Sequence, residues 1–410
     1  MLDPEGLLRR KQVLVCVGSG GVGKTTTAAV IALRAAAQGK KAVVLTIDPA
    51  LRLADALGLD TLGNEPKQVD AAHLSRIGVP VKGELWATML NAGQTLEDII
   101  RKHTGSREEA DAIFNSAIYR QGVQSLIGSP EYMAVEKLYE LYESGSYDLV
   151  VLDTPPAKHA LDFLTAPDRM VNFLTDNKLL NLLIRPTIEG NGLGARLLRW
   201  GGASFMRVLD AALSTEFLSA GSEFFTALRG LYAGFRARAE RVQRLFRDER
   251  LGFVLVTSPN RLTIDEAVYF HSKLVEFGMP FEGVIVNKVH KDYLRDPSGK
   301  PRPEFELLSK LVHKELDRQA LQGRVRAEMA SLPAGGPWQQ ALPRLLENFL
   351  NFQVLAEIDE KNLERLRYLV KGGQFLQQVP YLAEDIHDVV GLRRISDHLF
   401  PPPARAAQTP

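Results

Sequence analysis

Gly18-Ser19-Gly20-Gly21-Val22-Gly23-Lys24-Thr25 is the segment of this chain best suited to chemistry. It fits the pattern G-x-x-x-x-G-K-[ST], in which glycines let backbone N–H groups approach phosphate oxygens closely. A helix opening at Lys24 would add the partial positive charge of its N-terminus. Lys24 is expected to reach the β- and γ-phosphates of a nucleotide, and the Thr25 hydroxyl to ligate Mg²⁺. Two carboxylates stand at matching places farther along. Asp48 follows the run Ala42-Val43-Val44-Leu45-Thr46-Ile47 and could orient or deprotonate an attacking water; a simple turn with Pro49 is the plainer reading. Asp153 closes Leu149-Val150-Val151-Leu152, the place of a Mg²⁺-side carboxylate acting through the metal's water shell. Thr154-Pro155-Pro156 then makes a stiff loop able to sense the γ-phosphate, whereas His159 alone reads as an ordinary surface histidine.

These residues need elements to position them. Val13-Leu14-Val15-Cys16-Val17 is a continuous apolar run, the pattern of a strand buried on both faces of a parallel sheet. Residues 24–38 are alanine-rich and predict a helix stopped by Gly39. With the run 42–47 they form a βαβ crossover. Further strands are expected at 149–152, at 253–256, at 283–286 ending on Asn287, and at 375–379 ending on Pro380. Ligands of such sheets sit at the carboxyl ends of the strands. The fold class expected is therefore α/β, a P-loop NTPase with a mostly parallel sheet flanked by helices and an inserted helical subdomain.

The stretches 95–144 and 168–248 carry apolar residues at helical spacing. The second is unusually apolar, from Phe173 and Leu174 to Leu231, Tyr232 and Phe235. It reads either as a subdomain above the sheet or as helices that simply cover it. Residues 292–303 are polar and predict a loop; 304–370 look helical, broken near Pro333-Ala334-Gly335-Gly336-Pro337. The division expected is one ATPase domain over 1–400, with core segments 10–94, 145–167, 250–290 and 372–400. A helical insertion covers about 168–248, a helical segment about 304–370, and a disordered tail 401–410. No internal repeat is present and only one phosphate-loop pattern occurs.

Composition narrows the function classes. The 410 residues suffice for two or three domains, or for one large core with an insertion. Lys plus Arg is 50 against 49 for Asp plus Glu, a net charge of +1, so there is no global pull toward nucleic acid or anionic membrane. The one cysteine, Cys16, excludes an intrachain disulfide and any zinc or iron–sulfur site made from this chain's cysteines alone. Cysteine scarcity fits a reducing cytosol. The first eleven residues lack the apolar stretch of a signal peptide, and no run of about 18 apolar residues occurs. The expectation is a cytoplasmic protein without stable membrane insertion.

Taken together, three segments resemble the arsenite-pump ATPase and tail-anchored-protein targeting family, within the deviant Walker A class of dimeric phosphate-loop ATPases. Gly20-Gly21-Val22-Gly23-Lys24-Thr25-Thr26 is similar to its phosphate loop. Asp48-Pro49-Ala50 with Leu53-Ala54-Asp55 is similar to its first switch, whose leading aspartate is catalytic. Asp153-Thr154-Pro155-Pro156-Ala157-Lys158-His159-Ala160-Leu161, with Phe163-Leu164 and Pro167, resembles its second switch. Ile285-Val286-Asn287-Lys288 is similar to the segment whose asparagine reads adenine, and Val379-Pro380 to the final strand packing near the base. The resemblance implies ATP and Mg²⁺ as cofactors, hydrolysis of ATP to ADP and phosphate, and Asp48 and Lys24 as catalytic residues.

Two departures bear on partners. The family's signature lysine, which crosses the dimer interface, is Ser19 here, and a serine cannot carry that charge. Lys158, or a lysine-bearing paralogue in place of a homodimer, could substitute. The family's Cys-x-x-Cys zinc clamp is absent, so no zinc is expected. The resemblance implies a nucleotide-driven carrier of a hydrophobic client, with a membrane-protein partner open. A subunit driving an arsenite or anion pump and a positioning or partition ATPase are the alternatives; a cluster-bearing redox ATPase is excluded.

Overall fold

The computed structural model describes residues 4–115, 129–155, 157–176, 234, 236–296, 299–306, 308, 310, 323, 327, 338–370, 372–382, 384–386 and 388–401. Its centre is one sheet of eight strands: β1 (Val13–Gly18), β2 (Lys41–Thr46), β3 (Lys67–Gln68), β4 (Glu84–Met89), β5 (Leu149–Asp153), β6 (Leu251–Thr257), β7 (Phe281–Val289) and β8 (Phe375–Pro380). They lie in the order β3-β4-β2-β5-β1-β6-β7-β8. Every pairing is parallel except the two-residue antiparallel contact of β3 with β4. Such a sheet must be covered on both faces, and the valine-rich runs of β1, β5 and β6 are buried along their whole length.

Alternation along these strands separates two cores. Val13, Val15, Val17, Leu45, Leu152, Phe253 and Leu255 face one layer. That layer holds helices α5 (Ala92–His103), α7 (Pro130–Glu143), α8 (Ala157–Asp176) and α9 (Arg261–Glu276), with α6 (Arg107–Asn115) beside α5 and part of α10 (Trp338–Arg367). Leu14, Cys16, Val44, Val151, Val254 and Val256 face the other. There pack α1 (Pro4–Arg10), α2 (Lys24–Ala37), α3 (Arg52–Leu57), α4 (Ala71–Arg76) and α11 (Val389–Leu399). A period of two on each strand thus feeds both layers.

The six strands expected from the sequence are all present, and α2 spans 24–37, one residue shorter than expected. Strands β3 and β4 were not expected. β4 carries Glu84, Trp86 and Met89 half-buried between Leu85, Ala87 and Thr88, so it lacks the continuous apolar run of a central strand. The stretch 95–144 divides into α5, α6 and α7, with 116–128 outside the described residues. Within 292–303 a single antiparallel bridge, Arg295 to Pro301, closes the loop. Of the segment 168–248, α8 reaches Asp176 and the chain is again helical over 236–245; 177–233 lie outside the described residues, as do most of 311–337 and all of 402–410.

The chain order also locates the site. β1 is flanked by β5 and β6, so the chain leaves β1 toward β2 on one side and returns to β6 on the other. The carboxyl ends of β1, β2 and β5 meet at this reversal, where open α/β sheets bind ligands.

Candidate functional site

The loop between β1 and α2 is shaped by what surrounds it. At Gly18 a Cβ would lie 1.9 Å from the Val256 carbonyl oxygen, so the loop leaves β1 tight against β6. Gly23 has φ +94°, and its Cβ would meet the Asn287 amide nitrogen at 2.3 Å. A side chain at Gly23 would therefore be both strained and obstructed. Asn287 reaches that place because the β7–β8 register shifts between Val286 and Val289, with Lys288 at φ 63°. Bulges of this kind re-aim a side chain. Here Asn287 Nδ2 donates to the Val22 carbonyl at 3.0 Å, buttressing the loop from β7.

Lys24 opens α2 and is buried, its Nζ donating to the Ser19 carbonyl at 2.8 Å. Burial lowers its pKa, opposed by the nearby Asp153 and Asp48. The Val22 side chain turns down into the core of the α2 face. Ser19 is buried as well, and its hydroxyl donates to the Glu266 carboxylate of α9.

The two sequence-predicted carboxylates stand in different settings. Asp153 is 1% exposed at the end of β5. Its Oδ2 accepts hydrogen bonds from the Thr25 hydroxyl at 2.6 Å and the Thr46 hydroxyl at 3.0 Å. Its Oδ1 is buried with no hydrogen-bond partner among the described residues. Burial pushes its pKa up to about 6, with the two hydroxyls and Lys24 acting the other way. Asp48 is half-exposed. Its Oδ1 accepts from the Ala50 N–H at 2.9 Å, and its own N–H donates to the Thr46 hydroxyl at 3.2 Å. The plainer reading, a turn at Asp48-Pro49, is therefore realised, and the same carboxylate also lines the cavity.

A cavity of about 980 Å³ opens over these residues. Gly20, Gly21, Gly23, Lys24, Thr25 and Thr26 form its floor, and Asp48, Asp153, Asn287 and Pro380 its walls. Arg52, Lys288 and Tyr381 also line it; Arg52 and Tyr381 were not singled out in the sequence, and Lys288 entered only as the neighbour of Asn287. Arg52 stands four residues after Asp48, a helical spacing that could have flagged it; its Nη1 lies 3.7 Å from Asp48 Oδ2. Nothing local marks Tyr381. The side chains of Lys158 and His159 lie outside the described residues.

The oxygen donors fit a small hard cation. Thr25 supplies a hydroxyl, and Asp153 a buried carboxylate with one unpartnered oxygen, as Mg²⁺ held largely through its waters requires. Among the described residues no group of three or more His, Cys, Asp or Glu could enclose a metal by itself. Cys16 is fully buried in β1, and burial pushes its thiol far up, so it offers no thiolate. Among the described residues no helix is long and apolar enough to cross a membrane.

Comparison with known proteins agrees with this geometry. The family model described as anion-transporting ATPase matches residues 11–301. A protein of Aquifex aeolicus named arsenical pump-driving ATPase 2 is 25% identical over 289 residues, 70% of this chain and 84% of that protein. The ATPase GET3 of Chaetomium globosum is 24% identical over 273 residues, 66% of this chain and 71% of that protein. The ATPase GET3C of Arabidopsis thaliana is 24% identical over 290 residues, 66% of this chain and 65% of that protein, slightly under two thirds of its length.

Proposed function

The chain belongs to the anion-transporting ATPase family and is a nucleotide-binding ATPase, and from that premise we propose that it is a Mg²⁺-dependent dimeric switch carrying a hydrophobic client. The observation that carries the catalytic half is the Thr25–Asp153–Thr46 cluster, whose carboxylate Oδ1 has no partner among the described residues and whose Thr25 directly follows Lys24. Backbone N–H groups of the loop 20–24 and the Lys24 ammonium hold the phosphates. Thr25 and Asp153 hold Mg²⁺ and its waters, and the ion supplies charge neutralisation of the phosphate oxygens. Asp48 orients the attacking water from the end of β2. Asn287 and Pro380 border the base. Hydrolysis forms a bond from the water oxygen to the γ-phosphorus and breaks the bond to the β,γ-bridging oxygen, whose electron pair stays on ADP. The water's released proton ends in solvent.

The carrier role is supported by the apolar sequence between Phe173 and Phe235, too apolar for an exposed linker, and by the likeness to the GET3 ATPases. Driving an arsenical pump, as the Aquifex protein's name has it, is less favoured: the one cysteine is enclosed in β1, so this chain alone makes no thiolate site for a metalloid. The test measures steady-state hydrolysis with Mg²⁺ and with excess chelator, and mass in solution with ADP and with a non-hydrolysable ATP analogue. Crosslinking to a 20-residue apolar helical peptide follows. The expected result is metal-dependent turnover, a doubling of mass with the analogue, and nucleotide-dependent crosslinking. Turnover indifferent to chelation, or a monomer in every nucleotide state, refutes the switch; crosslinking indifferent to nucleotide refutes the carrier.

A further inference from the structure

We propose that Arg52 is a cation supplied in cis to the γ-phosphate, standing in for the charge that Ser19 cannot give. The inference rests on the ATPase reading above and deepens it. Ser19 is not merely neutral. It is buried, its hydroxyl is committed to Glu266 on the opposite side of the loop, and it does not line the cavity. The loop therefore brings one cation to the phosphates, Lys24, and charge spreading over the γ-phosphate oxygens in the transition state needs more.

Two other cations among the described residues line the cavity. Lys288 stands beside Asn287 and Pro380, on the β7–β8 wall away from Asp48. Arg52 opens α3, immediately after the turn that positions Asp48. Its guanidinium lies 3.7 Å from the carboxylate assigned to the attacking water, so it is on the γ-phosphate side. Its present partner holds it weakly: the Arg52 side chain is 73% exposed, and exposed pairs at this separation contribute little. A phosphoryl group carries more charge than Asp48 and presents paired oxygens that match the planar fork. The guanidinium can thus turn from Asp48 to the γ-phosphate at small cost, and its exposure places it where no fold-stabilising contact is lost in doing so. Its charge already reaches the Lys24 ammonium, which it disfavours.

The contact distinguishes ATP from ADP, because only ATP has the γ-phosphate. Binding of ADP and of the β,γ-imido analogue of ATP, each with Mg²⁺, is measured by calorimetry for wild type, Arg52→Ala and Arg52→Lys, beside ATP turnover. We expect Arg52→Ala to keep ADP affinity and to weaken the imido analogue about tenfold. Turnover should fall about 100-fold, equal to about 2.7 kcal/mol of transition-state stabilisation at 1.36 kcal/mol per tenfold. Arg52→Lys should regain most of the analogue affinity and only part of the turnover, since charge returns without the fork. An unchanged ratio of analogue to ADP affinity in Arg52→Ala overturns the proposal, even with slowed turnover, because Arg52 would then act only by holding Asp48. Wild type that binds neither nucleotide overturns the ATPase reading itself, a distinct outcome.

Discussion

Asp153 buries a carboxylate whose Oδ1 has no partner among the described residues, and that cost can be measured as a pH dependence of stability. Burial, the largest cause, raises its pKa from 3.8 to about 6. A carboxyl whose folded pKa lies above its unfolded one destabilises the native state where it is ionised in both. The contribution of Asp153 to stability is therefore least favourable above pH 6 and rises as pH falls through about 6 toward 3.8, where the unfolded chain also takes up its proton. The full effect is about 3 kcal/mol, of which roughly 1 kcal/mol is gained between about pH 7 and about pH 5. The perturbation is Asp153→Asn, whose amide does not titrate. Its own packing cost, including amide hydrogens facing the site of Oδ1, is the same at both pH values and cancels. Urea unfolding followed by tryptophan fluorescence, at pH 7 and pH 5 without nucleotide or Mg²⁺, compares the two proteins. Wild type should gain roughly 1 kcal/mol more than Asp153→Asn on acidification. Parallel pH dependences would refute the reasoning, since they would mean that Asp153 is not held charged against its surroundings.

Three further outcomes are expected. Asp48→Asn should retain nucleotide affinity while turnover falls about 10²–10⁴-fold, because in the proposed site the phosphates are held by the loop 20–26 and Asp48 serves only to orient the water; binding and steady-state assays separate the two. Gly23→Ala should abolish nucleotide binding and lower stability by about 1–3 kcal/mol, and adding Asn287→Ala should relieve the contact but not the strain at φ +94°, leaving binding impaired in a nucleotide titration. On the opposite layer Arg238 pairs with Glu136 of α7 in the core, Glu136 being fully buried and also accepting from the Tyr132 hydroxyl at 2.5 Å. Glu136→Leu alone should cost about 3–5 kcal/mol in a denaturant titration, and Glu136→Leu with Arg238→Met much less, because the single change takes the close partner from a buried cation and leaves it only Glu143, at 4.0 Å.

The chemistry most legible in the sequence is the chemistry built from neighbours in the chain. The phosphate loop is eight consecutive residues, and the strand before it and helix after it are written in a valine run and an alanine run. β1, β2, β5 and β6 were readable because strands buried on both faces need unbroken apolar runs. β4 was not, since beside the edge strand β3 it alternates half-buried and buried positions.

Contacts between distant segments were settled only by the tertiary structure. Thr25 and Asp153 are 128 residues apart, Ser19 and Glu266 247, and Val22 and Asn287 265. No local pattern encodes that the carboxylate of β5 bonds the hydroxyl of α2, that Ser19 is turned out of the cavity, or that a register shift in β7 points Asn287 at the loop. Arg52 shows the division most plainly. Its place four residues after Asp48 is in the sequence, but its meaning depends on α3 lying over the mouth of the cavity, which the packing of α3 on α2 decides. Local propensity and hydrophobic period act over a few residues, so they determine which elements form. Which side chains then meet is a property of the sheet order, because parallel crossovers bring together residues that no period can relate.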